Sequence, residues 1–127
     1  MKNILIIEDE AALQKTLKEV LTQEGYEVIS ALDGEIGLRL ANPPVGGKIP
    51  DLILLDLIMP KMNGFEVLKK LKENGATKEI PVIILTNLEG IAEVDKAVEL
   101  GAVTYLVKAQ YSLEEVVDKI KKTIDNV

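Results

Sequence analysis

The chain has 127 residues, of which 47% are hydrophobic and 28% are charged, and these values are typical of one folded domain. It has no cysteine and no histidine, which excludes disulfides, Cys/His zinc sites and nucleophiles activated by imidazole. The formal charge of −6 argues against direct nucleic-acid binding. Without a signal-peptide pattern or a long apolar run, we expect a cytoplasmic, single-domain protein (residues 1–127) that is not bound to a membrane.

Short apolar runs alternate with amphipathic stretches in the first part of the chain. The run Ile4–Ile7 predicts a strand, and apolar residues from Leu13 to Leu21 then recur at helical spacing. Residues 26–30 predict a half-polar strand, and Asp33 is a candidate N-cap for a weaker second helix. The Pro- and Gly-rich residues 42–50 predict a loop.

The same alternation continues to the end of the chain. Ser112 and Glu115 form a capping-box pattern before the clearest helical stripe in the sequence. Three further strands are predicted, at residues 52–55, 81–85 and 103–107. Each is followed by a predicted helix, at residues 65–71, 91–98 and 113–124 respectively.

Five strands alternating with five helices predict a parallel sheet with right-handed crossovers. Runs one, three and four are wholly apolar and belong at the centre, whereas runs two and five carry polar residues that suit the edges. We therefore predict a doubly wound α/β fold of (βα)5 type with the flavodoxin-like strand order 2-1-3-4-5. A (βα)8 barrel would need about twice the length.

Chemically reactive side chains follow four of the predicted strands. Glu8 and Asp9 follow strand one, Asp56 follows strand three, Thr86 ends strand four and Lys108 ends strand five. Each residue alone has an ordinary structural explanation, such as a helix N-terminus, a turn cap, a strand position or a solvated amine. Ligands of open parallel sheets bind beyond the carboxyl ends of the strands. The presence of all these side chains at that edge therefore predicts a functional site.

The residue types at this edge favour phosphoryl chemistry. Clustered carboxylates repel one another unless a cation neutralises them, and ligands that are all oxygen favour Mg²⁺. A carboxylate beside a metal can act as a nucleophile and form an acyl phosphate. Phosphoryl transfer mainly needs positioning and charge neutralisation, which these acids and Lys108 offer.

Residues 56–64, DLIMPKMNG, resemble the phosphoacceptor loop of response-regulator (CheY-like) receiver domains of two-component signalling. The similarity extends from Ile4 to Val127. It implies a phosphorylation-controlled switch that catalyses only its own phosphoryl transfer and acyl-phosphate hydrolysis.

The resemblance also implies a role for each residue of the predicted site. Asp56 corresponds to the phosphorylated aspartate, and Lys108 to the lysine that pairs with the phosphoryl oxygens. Glu8, Asp9, Asp56 and the backbone carbonyl of Ile58 correspond to the Mg²⁺ ligands.

A switch between two conformations is implied by the same resemblance. Thr86 corresponds to the hydroxyl that hydrogen-bonds the phosphoryl group, and Tyr105 to the aromatic residue that follows it inward. Their movement biases the surface formed by helix four, strand five and helix five. The alternative for Tyr105 is an ordinary edge-strand residue with its hydroxyl in water.

The expected partner is a phosphodonor, because a chain without histidine cannot itself be a phosphohistidine donor. The resemblance implies a histidine kinase or a phosphotransfer protein that docks on helix one, where we expect Gln14, Lys15 and Lys18 to be exposed. The output partner is unknown. We expect a stand-alone unit, with a receiver excised from a longer regulator as the alternative.

Two positions depart from the family pattern. Ala109 follows Lys108 where the family usually has a cis proline, and because a non-proline cis bond costs about 3–4 kcal/mol we predict a trans peptide. Asn87 replaces the usual small residue after the threonine, and our hypothesis is that it alters the lifetime of the phosphorylated form. Ile58 is a weaker candidate for shielding the acceptor from water.

Three other functions remain possible from the sequence. A Mg²⁺-dependent phosphatase would use Asp56 as nucleophile but usually has a second acid two residues later, where this chain has Ile58. A flavodoxin-like FMN protein would need a Ser/Thr/Gly-rich loop in place of the acids at 8–10. A degenerate receiver that never takes phosphate is the third, and Ala109 is the reason to consider it.

Overall fold

The computed structural model describes residues 1–125, in which strands and helices alternate. The elements are β1 (Asn3–Ile7), α1 (Ala11–Gln23), β2 (Glu27–Ala31), α2 (Gly34–Ala41), β3 (Leu52–Leu55), α3 (Gly64–Glu73), β4 (Val82–Thr86), α4 (Ile91–Glu99), β5 (Thr104–Val107), a 3-10 turn (Lys108–Gln110) and α5 (Leu113–Asp125). Within these residues, no helix has the length and apolar character that crossing a membrane requires.

The strands form one parallel sheet in the order β2-β1-β3-β4-β5, which confirms the predicted fold. Every residue of β1, β3 and β4 is buried, whereas the edge strands β2 and β5 are only partly buried. The wholly apolar runs occupy the centre because helices cover them on both faces.

The ends of four strands differ slightly from the prediction. β1 begins one residue earlier, and β2 begins and ends one residue later. β4 begins at Val82 rather than Pro81, since proline has no N–H to donate to a ladder, and it ends at Thr86, as predicted for the site. β5 begins at Thr104 rather than Val103.

Alternate residues of each central strand pack in two hydrophobic layers, one on each face of the sheet. Leu5 and Ile7 pack in the layer that contains residues of α2, α3 and α4. Ile4 and Ile6 pack in the opposite layer, with residues of α1 and α5. The layers hold the sheet rigid, so the loops at its carboxyl edge start from fixed positions.

Side-chain caps begin two of the helices as predicted. The Asp33 carboxylate accepts the Ile36 N–H at 2.9 Å, which caps α2. The Glu115 N–H donates to the Ser112 hydroxyl at 3.1 Å, and the Ser112 N–H donates to the Glu115 carboxylate at 2.9 Å. This reciprocal pair is the predicted capping box of α5.

Gly64 begins α3 in close contact with the loop that follows β3. Its N–H donates to the Leu57 carbonyl at 2.9 Å. A Cβ atom at this position would overlap the Asp56 carbonyl oxygen and lie 2.5 Å from the Leu57 Cα atom. The absence of a side chain therefore lets α3 pack directly against the backbone of Asp56.

Gly64→Ala is expected to lower the free energy of unfolding by about 2 kcal/mol or more, because the new methyl group meets backbone that cannot rotate away. Gly75→Ala is the matched control, since a Cβ atom there meets nothing within 4 Å. Urea unfolding of both variants measures the difference. Equal losses of stability in the two variants would show that the close contact at Gly64 is unimportant.

Candidate functional site

Three acids from two strand ends meet at the carboxyl edge of the sheet. Carboxylate oxygens of Glu8, Asp9 and Asp56 lie within 4.8 Å of one another. Glu8 and Asp56 are buried, whereas Asp9 is exposed. β1 and β3 are adjacent and parallel, and this places the loops that follow them side by side.

Lys108 joins the acids to the end of β5. Its amine lies 2.7 Å from the Glu8 carboxylate and 3.1 Å from the Asp56 carboxylate. The Glu10 carboxylate is more distant, at 3.8 Å. The structure thus brings four of the predicted site residues, Glu8, Asp9, Asp56 and Lys108, into one cluster.

Local backbone hydrogen bonds orient the two buried carboxylates. The second Glu8 oxygen accepts the Glu10 N–H at 3.1 Å. The Asp56 Oδ1 atom accepts the Ile58 N–H at 3.1 Å, and Oδ2 is the oxygen that pairs with Lys108. Each carboxylate therefore has one oxygen held by its own loop and the other facing the amine.

The cluster has more negative charge than its single amine can balance. Burial raises the pKa of Glu8 to about 7, the hydrogen bond from Lys108 opposes this rise, and the charge of Asp56 adds to it. Burial alone would lower the pKa of Lys108, but its bonds to Glu8 and Asp56 outweigh this effect and raise it. A proton or a cation is needed to compensate the remaining charge.

Thr86 and Tyr105 both contact Leu88, in the loop after β4. The hydroxyl of Thr86, which is fully buried, accepts the Leu88 N–H at 3.4 Å. The Tyr105 hydroxyl donates to the Leu88 carbonyl at 2.9 Å, and burial raises its pKa. The Tyr105 hydroxyl is thus bonded to the protein, and the two predicted switch residues hold the same loop residue.

The positions that depart from the family pattern lie beside the cluster. Asn87 and Ala109 line a cavity of about 480 Å³ next to Lys108. The Lys108–Ala109 peptide is trans, as predicted. The side chain of Ile58 is half-exposed, so its shielding role stays a prediction.

Gln14 lies elsewhere than the sequence predicts. Lys15 and Lys18 are exposed as expected, but Gln14 is buried, and the expectation that it is exposed is wrong. Its amide nitrogen lies 2.8 Å from each of the Ile6 and Ala31 carbonyl oxygens, and these bonds hold it inside. The sequence does contain a signal, since Gln14 shares a helical stripe with the buried residues Leu17 and Leu21.

Comparison with known proteins identifies the family. Residues 4–121 match the response regulator receiver domain. The response regulator PleD from Caulobacter vibrioides is 41% identical over 105 residues, which make up 83% of this chain and 22% of PleD. The chain spans about half the length, or less, of such curated relatives.

Solved structures agree with this match. The non-phosphorylated HemR receiver domain from Leptospira biflexa has a TM-score of 0.86 at 31% identity, covering 98% of this chain and 94% of that one. The Mn²⁺-bound form of response regulator Rcp1 has a TM-score of 0.79 at 31% identity, covering 99% and 91%. The chain belongs to the response regulator receiver domains, the signalling modules of two-component systems.

Proposed function

We propose that this receiver domain is a switch controlled by phosphorylation of Asp56. The observation that carries the proposal is the position of the buried Asp56 carboxylate, which lies 3.1 Å from the Lys108 amine and within 4.8 Å of carboxylate oxygens of Glu8 and Asp9. This arrangement supplies a nucleophile, metal ligands and a cation at one place. It favours phosphoryl transfer over binding without chemistry.

The metal partner we propose is Mg²⁺, held by the carboxylates of Glu8, Asp9 and Asp56 and by the backbone carbonyl of Ile58. Three carboxylates within 4.8 Å of one another suit a hard cation with oxygen ligands. The excess negative charge of the buried pair supports the same assignment. When bound, the ion would neutralise charge on the acceptor and on the phosphoryl oxygens.

The Asp56 Oδ2 atom is the proposed nucleophile, because it faces the Lys108 amine, whereas Oδ1 accepts the Ile58 N–H within its own loop. A bond forms between this oxygen and phosphorus as the bond from phosphorus to the donor's histidine nitrogen breaks, and that nitrogen then takes up a proton. Lys108, 3.1 Å from Oδ2, is positioned to pair with the oxygens of the transferred group. Water later hydrolyses the acyl phosphate, so the chain acts only on its own phosphoryl group.

The proposed conformational signal passes through Leu88. If the Thr86 hydroxyl turns to the phosphoryl group, the Leu88 N–H loses its acceptor. Tyr105 is bonded to the carbonyl of the same residue, so its rotamer is biased together with the loop. The surface formed by α4, β5 and α5 would change as a result.

The proposed donor is a histidine kinase or a phosphotransfer protein, and the proposed location is the cytoplasm. We infer that nucleic-acid binding does not belong to this domain, because its formal charge is −6. The degenerate alternative rested on Ala109, which follows Lys108 where the family usually has proline. The 2.7 and 3.1 Å distances from the Lys108 amine to Glu8 and Asp56 favour an active receiver instead.

The first test is phosphorylation by a small donor. Wild-type protein incubated with Mg²⁺ and acetyl phosphate is expected to gain the mass of one phosphoryl group, and Asp56→Asn is expected to gain none. Intact mass spectrometry measures both proteins. Equal gains in the two proteins would mean that Asp56 is not the acceptor.

The second test uses the raised pKa of Glu8. The pKa of about 7 exceeds the ordinary 4.5, so folding favours neutral Glu8, and stability is lost as the pH rises through 7. Between pH 5.5 and 8 without metal, we expect a loss of about 2 kcal/mol. With no histidine in the chain, few other groups titrate in this range.

Urea unfolding in EDTA at both pH values measures this loss. Glu8→Gln is the control and is expected to show little dependence on pH, because the amide carries no proton to lose. Added Mg²⁺ is expected to restore the stability of the wild type at pH 8. Parallel pH dependence in wild type and Glu8→Gln would contradict the assignment.

The third test concerns Asn87, which lines the cavity beside Lys108. Asn87→Ala is expected to shorten the half-life of the acyl phosphate about threefold, roughly 0.6 kcal/mol of barrier, because water gains access to phosphorus. Asn42→Ala, in the loop after α2, is the matched control. Loss of the phosphoryl mass over time measures the half-lives. Identical half-lives in wild type and Asn87→Ala would contradict the hypothesis.

A further inference from the structure

We propose that Gln14 is a positioning residue for the acid pair, and that it sets the affinity of the site for Mg²⁺. The inference rests on the proposed function. Gln14 lies in the first turn of α1 and is 4% exposed. Its amide nitrogen donates to backbone carbonyl oxygens and to none of the three carboxylates. Any effect on the metal would therefore act through the backbone.

The Gln14 amide nitrogen lies among three carbonyl oxygens. It is 2.8 Å from the oxygen of Ile6, in β1, and 2.8 Å from that of Ala31, at the end of β2. The third is the Glu8 carbonyl oxygen, at 3.2 Å. One side chain of α1 thus holds the ends of two strands and the beginning of the acidic loop.

The orientation of this amide follows from its neighbours. All three are acceptors, so the nitrogen rather than the oxygen must face them. The amide oxygen is buried and has no hydrogen-bond partner among residues 1–125. A buried polar group with an unpaired atom calls for a specific explanation, and holding the acidic loop supplies one.

The contacts of Gln14 constrain both peptide groups of Glu8. The Glu8 N–H donates to the Ala31 carbonyl at 3.0 Å, which is the carbonyl that Gln14 also contacts. The Glu8 carbonyl belongs to the peptide that leads into Asp9, and it lies 3.2 Å from the Gln14 nitrogen, whose two hydrogens are shared among the three carbonyl oxygens. The directions in which the Glu8 and Asp9 side chains leave the backbone therefore depend on this amide.

Mg²⁺ is sensitive to such constraint because it requires nearly octahedral geometry with short bonds to oxygen. Groups that orient metal ligands without contacting the ion commonly change metal affinity 10- to 100-fold when they are removed. If the role of Gln14 is purely structural, its hydrogen bonds only join α1 to the sheet. Loss of Gln14 would then lower stability and leave the Mg²⁺ affinity of the folded protein unchanged.

Titration of the full chain with Mg²⁺, followed by the NMR shifts of backbone amides, distinguishes these roles without a phosphodonor. Gln14→Met keeps the length of the side chain but removes its donors, and is expected to raise the Mg²⁺ dissociation constant about tenfold. Thr77→Val is the matched control. It removes a buried hydroxyl that donates to the Leu71 carbonyl at 2.6 Å, outside the acid cluster.

Thr77→Val is expected to lose stability and to keep the wild-type dissociation constant. A second measurement needs no variant: the side-chain amide protons of Gln14 in the wild type are expected to shift with the same dissociation constant as the Glu8 amide. If Gln14→Met does not fold, this measurement decides the question.

Each outcome has a definite meaning. Equal dissociation constants in wild type and folded Gln14→Met, or Gln14 amide protons that ignore Mg²⁺, would overturn the positioning role alone. Wild-type protein that shows no Mg²⁺ binding would overturn the metal site of the proposed function, and this inference with it.

Discussion

One lysine amine faces two buried carboxylates at the carboxyl edge of the sheet, and the rest of the site depends on this imbalance. Lys108 pairs with Glu8 and Asp56, so one negative charge remains in a region with little water. Burial raises the pKa of Glu8 to about 7, and the nearby charge of Asp56 adds to this rise. A site that needs one more positive charge is suited to bind a divalent cation and then to accept a phosphoryl group.

The fold makes this unfavourable arrangement possible. Three fully buried central strands, packed between two helical layers, fix where the charged loops begin. The hydrophobic layers offset the cost of burying acids at the edge. Gly64 packs against the backbone of Asp56 and so supports the loop after β3. Gln14 contacts the Glu8 carbonyl and so supports the loop after β1.

The sequence predicts the strand order because polarity separates central from edge strands, as Glu27 and Ser30 in β2 illustrate. It also predicts the cluster of Glu8, Asp9, Asp56 and Lys108, since parallel strands deliver their following residues to one edge. The strand order and the cluster follow from composition and topology alone. The contacts of individual side chains do not follow from composition and topology.

Three features of the site could not be predicted in this way, because each depends on packing between distant segments. The helical stripe that Gln14 shares with Leu17 and Leu21 indicates burial, but it does not show which groups the amide meets, and these are carbonyls of β1 and β2. The bond from Tyr105 to Leu88 depends on the path of the loop after β4. The raised pKa of Glu8 needs both its burial and its distance from Asp56.

Proton release on metal binding tests the central claim most directly. At pH 7 a group with a pKa of about 7 is half protonated, so Mg²⁺ is predicted to release about half a proton as it binds. Calorimetric titration with Mg²⁺ in buffers of different ionisation enthalpy measures this number, and at pH 8.5 it is predicted to approach zero. Mg²⁺ binding at pH 7 without proton release would contradict the claim that a buried, undercompensated acid pair forms the site.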